Sequence, residues 1–328
     1  MKYRELGKTG FEISEVSIGT WQLGGKWGAG FDEQKAKETI NTAIDKGVNF
    51  IDTADVYKDG KSEKAVGEVV RSRKEKVYVA TKCGRRLDPH NAEKYTPENL
   101  KSFVEDSLEN TGFDTLDLIQ LHCPPTEVYY RPEVFEMFDK LKDQGKIRNL
   151  GVSVEKVEEG LKAIEYPNVT TVQIIYNMFR QRPAELFFKR AGEKNVGIIT
   201  RVPLASGLLT GKFTKSTEFE EYDHRNFNRE GEVFDKGETF SGIDYELGLE
   251  AVEELKKVFP KYTNLAPIAI KWILMNKNVS CVIPGASKVE HVKNNVTASE
   301  LPPISKDKME KVEEIYEEHI KDEVHQRW

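Results

Sequence analysis

Eight short apolar runs recur along this chain: VSIG (16–19), VNFID (48–52), VYVAT (77–81), LDLIQLH (116–122), IRNLGVS (147–153), TVQIIYN (171–177), VGIITR (196–201) and SCVIPG (280–285). The first seven begin roughly 25–40 residues apart, the length of a strand, a helix and two short loops. The runs are nearly continuous in apolar residues, as in parallel strands buried on both faces. Helical periodicity fills the intervals. Residues 33–46 put Ala36, Ile40, Ala43 and Ile44 on one face with Gly47 as a stop, and 61–72 carry a stripe of Ala65, Val66, Val69 and Val70. Pro132 opens a helix that Gly145 ends. Further helices are expected near 97–110, 155–165, 183–194, 247–259, 265–277, 287–298 and 305–321. Eight strand–helix units with right-handed crossovers predict one α/β domain over 1–328, a closed (β/α)8 TIM barrel followed by an extra C-terminal helix. The alternative is an open doubly wound sheet, but no G-x-G-x-x-G follows the first run. GLLTGKF (207–213) lacks the spacing and the Ser/Thr of a phosphate loop.

One interval breaks the period. Roughly 80 residues separate the seventh run from the eighth, longer than a helix and its loops require. The excess, 213–242, is charged but carries Phe213, Phe219, Tyr222, Phe227, Phe234 and Phe240, which is unusual for disorder. Loops that follow barrel strands line the active face, so this segment is expected to be a lid.

Composition excludes several function classes. The net charge is −6, and Lys and Arg are scattered, so neither nucleic acid nor anionic lipid is an expected partner. The N-terminal MKYRELGKTG has no apolar signal region, and no apolar run approaches the ~20 residues of a membrane span. Cys83, Cys123 and Cys281 are odd in number and dispersed, which reads as free thiols in a reducing cytoplasm. The sequons at Asn168 and Asn295 then carry no meaning. His90, His224, His319 and His325 show no metal spacing, so no metal is expected and a metal-dependent barrel hydrolase is set aside.

Asp52, Tyr57, Lys82 and His122 each follow an apolar run, at the expected ends of the second to fourth strands. Alone, each has a bland reading: a cap, a surface side chain, a hydrogen-bonded core histidine. Together on one rim they form a proton-donating set. When a hydride adds to a carbonyl carbon, the oxygen must gain a proton. A phenol is a donor whose pKa, ordinarily ~10, an adjacent ammonium lowers. Asp52 balances the burial of Lys82, and His122 orients the carbonyl oxygen.

These residues also carry a resemblance. GVNFIDTADVYKDGKSEKAVG (47–67) looks like the signature of the aldo-keto reductases. The likeness continues through ATK (80–82), LIQLH (118–122), GVS (151–153), QIIYN (173–177), PLASGLLTGKF (203–213) and VIPGAS (282–287), covering essentially the whole chain. It implies a (β/α)8 barrel, a hairpin over residues 1–14 closing the barrel bottom, and carbonyl reduction with a nicotinamide cofactor. Tyr57 matches the proton donor, Lys82 and Asp52 its tuning pair, and His122 the carbonyl-orienting histidine. Gly19, Thr20 and Trp21 lie beside the cofactor. Ser153 and Gln173 match the groups that hold the nicotinamide carboxamide. Leu204, Ser206, Leu208 and Lys212 match the segment that wraps the pyrophosphate, and Arg201, Val202, Pro203, Ala205 and Gly207 are expected to bind the cofactor with them. Ile283, Gly285, Ser287, Lys288, His291, Asn294 and Asn295 match the segment that holds the adenosine end. Trp21, with Trp27 a lesser candidate, and Tyr129 and Tyr130 are expected to wall the substrate pocket. Trp272 is expected in the core, and Cys123 as a small filler.

Three departures stand out. Val154 replaces a common Asn, Arg201 replaces an aromatic that stacks on the nicotinamide, and His291 replaces the Arg that grips a 2′-phosphate in strongly NADP-selective members. NADP is still the preferred cofactor, with NAD possible. The resemblance extends to the potassium-channel β-subunit branch, so two functions compete. One is reduction of small aldehydes and ketones; the other is nucleotide sensing with low turnover. Nothing in the pattern assigns an oligomeric state.

Overall fold

The computed structural model describes residues 1–25 and 30–328. Trp27 therefore lies outside the described residues. The chain opens with a hairpin, β1 (Tyr3–Glu5) antiparallel to β2 (Glu12–Ser14). Eight parallel strands follow: β3 (Ile18–Gly19), β4 (Phe50–Asp52), β5 (Tyr78–Cys83), β6 (Leu116–His122), β7 (Ile147–Ser153), β8 (Val169–Ile175), β9 (Gly197–Arg201) and β10 (Val279–Val282). Each pairs with the next, and parallel bridges Val16–Val282 and Gly19–Gly285 bring the first against the last. Gly19 permits that closure, because a Cβ there would meet the Ile283 carbonyl oxygen at 2.9 Å.

Helices cover the outside, and their starts follow the capping residues. Asp32 caps α1 (Glu33–Asp45), and α2 (Lys61–Ser72) starts from the left-handed Gly60. Thr96, with a proline behind it, starts α3 (Pro97–Thr111), and Pro132 opens α4 (Pro132–Asp143). The remaining crossover helices are α5 (Val157–Ala163) and α6 (Phe187–Glu193). After β9 the chain runs through the short α7 (His224–Phe227) to α8 (Tyr245–Val258), capped by Asp244, and α9 (Ala266–Leu274). Beyond β10 come α10 (Val289–Val296) and α11 (Lys306–Ile315).

The hairpin plugs the barrel bottom. Leu6, Phe11 and Ile13 pack with Phe50, Tyr78, Leu118 and Ile199 from inside the barrel. A larger apolar layer, which includes Trp272, fills the space between strands and helices. Two expected segments are divided. Pro183 turns 182–184 into a 3-10 turn before α6, and the last helix passes through a π turn at Tyr316–Ile320. The eighth strand stops at Val282, ahead of Pro284, which has no N–H to give the ladder.

Candidate active site

Parallel pairing sends the C-terminal ends of all eight strands to one rim. Asp52 ends β4, Lys82 is the penultimate residue of β5, and His122 ends β6 opposite Ser153, the last residue of β7. Gln173 pairs with Ser153 from β8, and Arg201 ends β9. Tyr57 stands in the turn after β4, not on a strand. That turn is held by left-handed Lys58 and Asp59 (both φ 53°), which swing the phenol back over the rim.

The four residues meet. Lys82 Nζ donates to Asp52 Oδ1 at 2.5 Å, to the Thr53 carbonyl at 2.8 Å and to Tyr57 Oη at 3.3 Å, using all three of its protons. Asp52 Oδ2 accepts from Gln173 Nε2 at 2.8 Å and from Gln120 Nε2 at 3.2 Å. The Tyr57 and His122 rings stand edge to face at 5.9 Å. His122 Nδ1 is buried without a partner.

The electrostatics correct one expectation. Burial pushes the Tyr57 phenol up, and the pull of the Lys82 ammonium does not overcome it, so the phenol lies above its ordinary value. Burial alone would push Lys82 down, but Asp52 and Tyr57 hold its ammonium above its ordinary value. Burial, reinforced by Arg85, Lys82 and Arg201, drives His122 well below the usual histidine range, so its imidazole is neutral.

A cavity of about 830 Å³ opens over these groups, within the range of small-molecule sites. One end is formed by Trp21, Tyr57, Arg85, His122, Phe234 and Glu238. The middle wall is Ser153, Gln173, Arg201, Val202, Pro203, Leu204, Ser206 and Gly207. Here the backbone is left-handed at Val202 (φ 51°), Ala205 (φ 45°) and Ser206 (φ 54°), a costly run that turns main chain toward the opening. The far end holds Lys212, Ile283, Gly285, His291, Asn294 and Asn295, and Gly19, Thr20 and Asp52 complete the lining.

Some expected residues do not line it. Ala205 and Leu208 turn into the apolar core, Ser287 stands behind His291, and Lys288 borders a smaller neighbouring cavity with Asp32 and Lys35. Tyr129 is fully buried in the core and Tyr130 faces solvent, so neither walls the cavity. The 213–242 segment packs on the rim, with Trp21 4.8 Å from His224 and 6.0 Å from Phe234 between ring centroids.

Sequence reasoning missed an ionic cluster at the mouth. Arg201 Nη2 donates to Glu155 at 2.7 Å, and its Nη1 lies 3.6 Å from Glu238. Arg85 Nη1 donates to Glu238 at 2.8 Å. Burial pushes Glu155 up to about 7. Glu238, though buried, is held well down by Arg85 and Arg201. Glu155 stands two residues past β7 and Arg85 two past β5, positions that belong to the rim and were the available signal.

The arrangement matches what comparison with known proteins returns. A model described as the aldo/keto reductase family matches residues 15–317. Aldo-keto reductase YhdN of Bacillus subtilis (strain 168) is 32% identical, over 88% of this chain and 86% of that protein. The NADH-specific methylglyoxal reductase of Escherichia coli (strain K12) is 27% identical, over 91% and 93% respectively. The holo form of aldo-keto reductase AKR11C1 from Bacillus halodurans superposes with a TM-score of 0.77 at 26% identity, over 97% of this chain and 99% of that one.

Proposed function

This chain belongs to the aldo/keto reductase family, an NAD(P)H-dependent carbonyl reductase, and from that premise we propose that it reduces aldehydes and ketones with Tyr57 as the proton donor. The observation that carries the reading is Lys82 Nζ held between Asp52 and Tyr57, both of which line the cavity. When bound, a nicotinamide cofactor supplies the hydride. The long cavity, its exposed main chain at 202–207 and the polar far end fit such a dinucleotide. Ser153 and Gln173 would face the carboxamide, and Lys212, His291 and Asn294 the phosphates and adenosine.

The chain's own groups then divide the work. His122, neutral, donates a hydrogen bond from Nε2 to the carbonyl oxygen and fixes its direction. Tyr57, fully protonated at neutral pH, gives its Oη proton to that oxygen as charge develops there. Lys82 stabilises the resulting phenolate from 3.3 Å. Asp52 keeps Lys82 charged in a dry site.

We assign NADPH as the preferred reductant, with NADH accepted. Lys288, Lys212 and Lys35 all act on His291, partly opposed by Glu290, which supports a phosphate-binding role for this end. The imidazole itself is held neutral by burial and those lysines, which makes it a weaker phosphate partner than an arginine. A small-molecule carbonyl is the assigned partner. A reducing cytoplasm fits three buried free cysteines. Among the described residues, no helix is long and apolar enough to cross a membrane. Steady-state turnover of a nitrobenzaldehyde with NADPH tests the proposal, and a purified chain that binds NADPH but consumes none of it with any aldehyde would overturn it.

A further inference from the structure

Trp328 is far in sequence from every group used above, yet its indole is buried (6% exposed). One ring face lies on Arg180, whose guanidinium carbon is 4.0 Å from the ring centroid. Arg180 sits in the loop after β8, itself 2% exposed, with Nε and Nη2 lacking any hydrogen-bond partner. A buried cation short of hydrogen-bond partners is costly, and the indole face, the nearby Asp235 carboxylate and Glu155 help offset it. On its edge, the indole N–H donates to Asp235 Oδ1 at 2.9 Å, and the same oxygen accepts from the Gly237 N–H at 2.7 Å. The ring fills the space beside two glycines. A Cβ on Gly242, at φ +86°, would meet Trp328 Cη2 at 2.5 Å, and one on Gly237 would meet Cε2 at 3.0 Å.

The turn seated in this way, 235–242, presents Glu238 to the cavity, where it pairs with Arg85 and Arg201. The cavity wall ties the other side of the turn. Ser206 Oγ donates to the Glu238 carbonyl and accepts from the Phe240 N–H, both at 3.1 Å. We propose that Trp328 is a positioning residue for the carbonyl-binding end of the cavity: it holds the 235–242 turn so that Glu238 stays paired with Arg85 and Arg201 beside His122. The inference rests on the reading of this cavity as the reductase site. Without the indole the turn loosens and Glu238 withdraws. Arg85 then swings into the space a substrate occupies, and Arg201 loses one of its two acids. Among the described residues, none of Trp328, Glu238, Arg85 and Arg201 hydrogen-bonds to Tyr57, Lys82, Asp52 or the far end of the cavity.

The test uses the full chain as Trp328→Ala, Trp328→Phe, Glu238→Gln and the Trp328→Ala/Glu238→Gln double variant. Amide exchange of 235–242 is read by mass spectrometry, alongside aldehyde KM and kcat and the NADPH Kd by fluorescence titration. Trp328→Ala should speed exchange across 235–242 by about tenfold or more, since it removes the Asp235 hydrogen bond and the ring packed beside Gly237 and Gly242. It should raise aldehyde KM about tenfold, the scale of one charge-assisted hydrogen bond, with kcat and NADPH Kd within about twofold. Trp328→Phe keeps the stack on Arg180, loses the N–H bond, and should fall between. Glu238→Gln should raise KM by itself, and the double variant should be no worse than the worse single, because both act through one contact. Unchanged exchange at 235–242, multiplied KM effects in the double variant, or kcat and NADPH Kd worsening in step with KM would each overturn the inference. If Trp328→Ala does not fold, Trp328→Phe decides, and exchange and KM must both move. A wild type with no carbonyl turnover would sink the reductase reading instead, and exchange would then judge the latch alone.

Discussion

Replacing Lys82 with Met keeps the length and apolar bulk of the side chain but removes its charge and its three donors. The site around it is dry, with Lys82 and Asp52 side chains 1% and 3% exposed. Two consequences follow in opposite parts of the molecule's chemistry. The first is stability. Asp52 keeps Gln173 and Gln120 as donors but loses its counter-ion, and breaking a buried pair from one side costs about 3–5 kcal/mol. The two amides put the expected loss at the lower end of that range. The second is proton transfer. At 3.3 Å, a unit charge acts on a forming phenolate with about 5 kcal/mol at an effective dielectric of 20, part of which the Asp52 charge opposes. Losing even half of that is about a hundredfold in rate, so kcat for aldehyde reduction should fall by about 10²–10⁴. NADPH absorbance at saturating substrate gives kcat, and thermal unfolding gives stability. Adding Asp52→Leu to Lys82→Met removes the stranded carboxylate, so stability should largely recover while kcat stays low. A Lys82→Met enzyme within about tenfold of wild-type kcat would refute the argument, given the size of the interaction removed. Activity that returned together with stability in the double variant would show that Lys82 acts only as scaffold.

Tyr57→Phe should abolish turnover while NADPH affinity survives; a near-normal kcat would remove Tyr57 from the mechanism. The neighbouring Asp55 is 1% exposed, neither carboxylate oxygen has a well-formed hydrogen bond, and burial with Glu63 nearby pushes it up to about 7. A carboxyl raised in the folded state binds its proton more tightly there than when unfolded. Stability from this group is therefore full below pH ~4 and is lost as pH climbs toward 7. Asp55→Asn should accordingly raise the melting temperature at pH 8 and change it little at pH 4, and equal effects at both would contradict the assignment. His291→Arg should raise the NADPH:NADH preference in kcat/KM, and an unchanged ratio would mean that residue 291 does not reach the 2′-phosphate.

The barrel was legible because both of its periods are written in the chain. Buried parallel strands such as LDLIQLH and IRNLGVS need continuous apolar runs, and those two expectations match β6 and β7 residue for residue. Proline and glycine marked helix ends at Pro132 and Gly145 for the same local reason. The Asp52, Lys82 and His122 positions followed from strand ends. What sequence spacing cannot carry is contact between distant loops. Glu238, Arg85 and Glu155 meet from loops after three different strands, and their charges looked like an ordinary solvated surface along the chain. Trp328 belongs to the same class. Side-chain direction was the other limit: Ala205 and Leu208 lie in the right segment but face the core, because a turn through left-handed residues breaks any simple alternation.

The raised Tyr57 phenol and the depressed His122 imidazole have one cause, and it shapes the chemistry. Both groups are buried, and burial favours whichever form is neutral. Several ions at this rim are instead matched: Lys82 with Asp52, and both Arg85 and Arg201 with Glu238. Tyr57 and His122 therefore stand as neutral donors among paired charges that also line the cavity. A carbonyl oxygen gaining negative charge there meets a neutral phenol and a neutral imidazole, and only after the proton moves does Lys82 find a new anion to stabilise. The reverse reaction needs a phenolate at the start, the form that burial penalises. The buried phenol should therefore make alcohol oxidation require a higher pH than carbonyl reduction, without altering the overall equilibrium between the two.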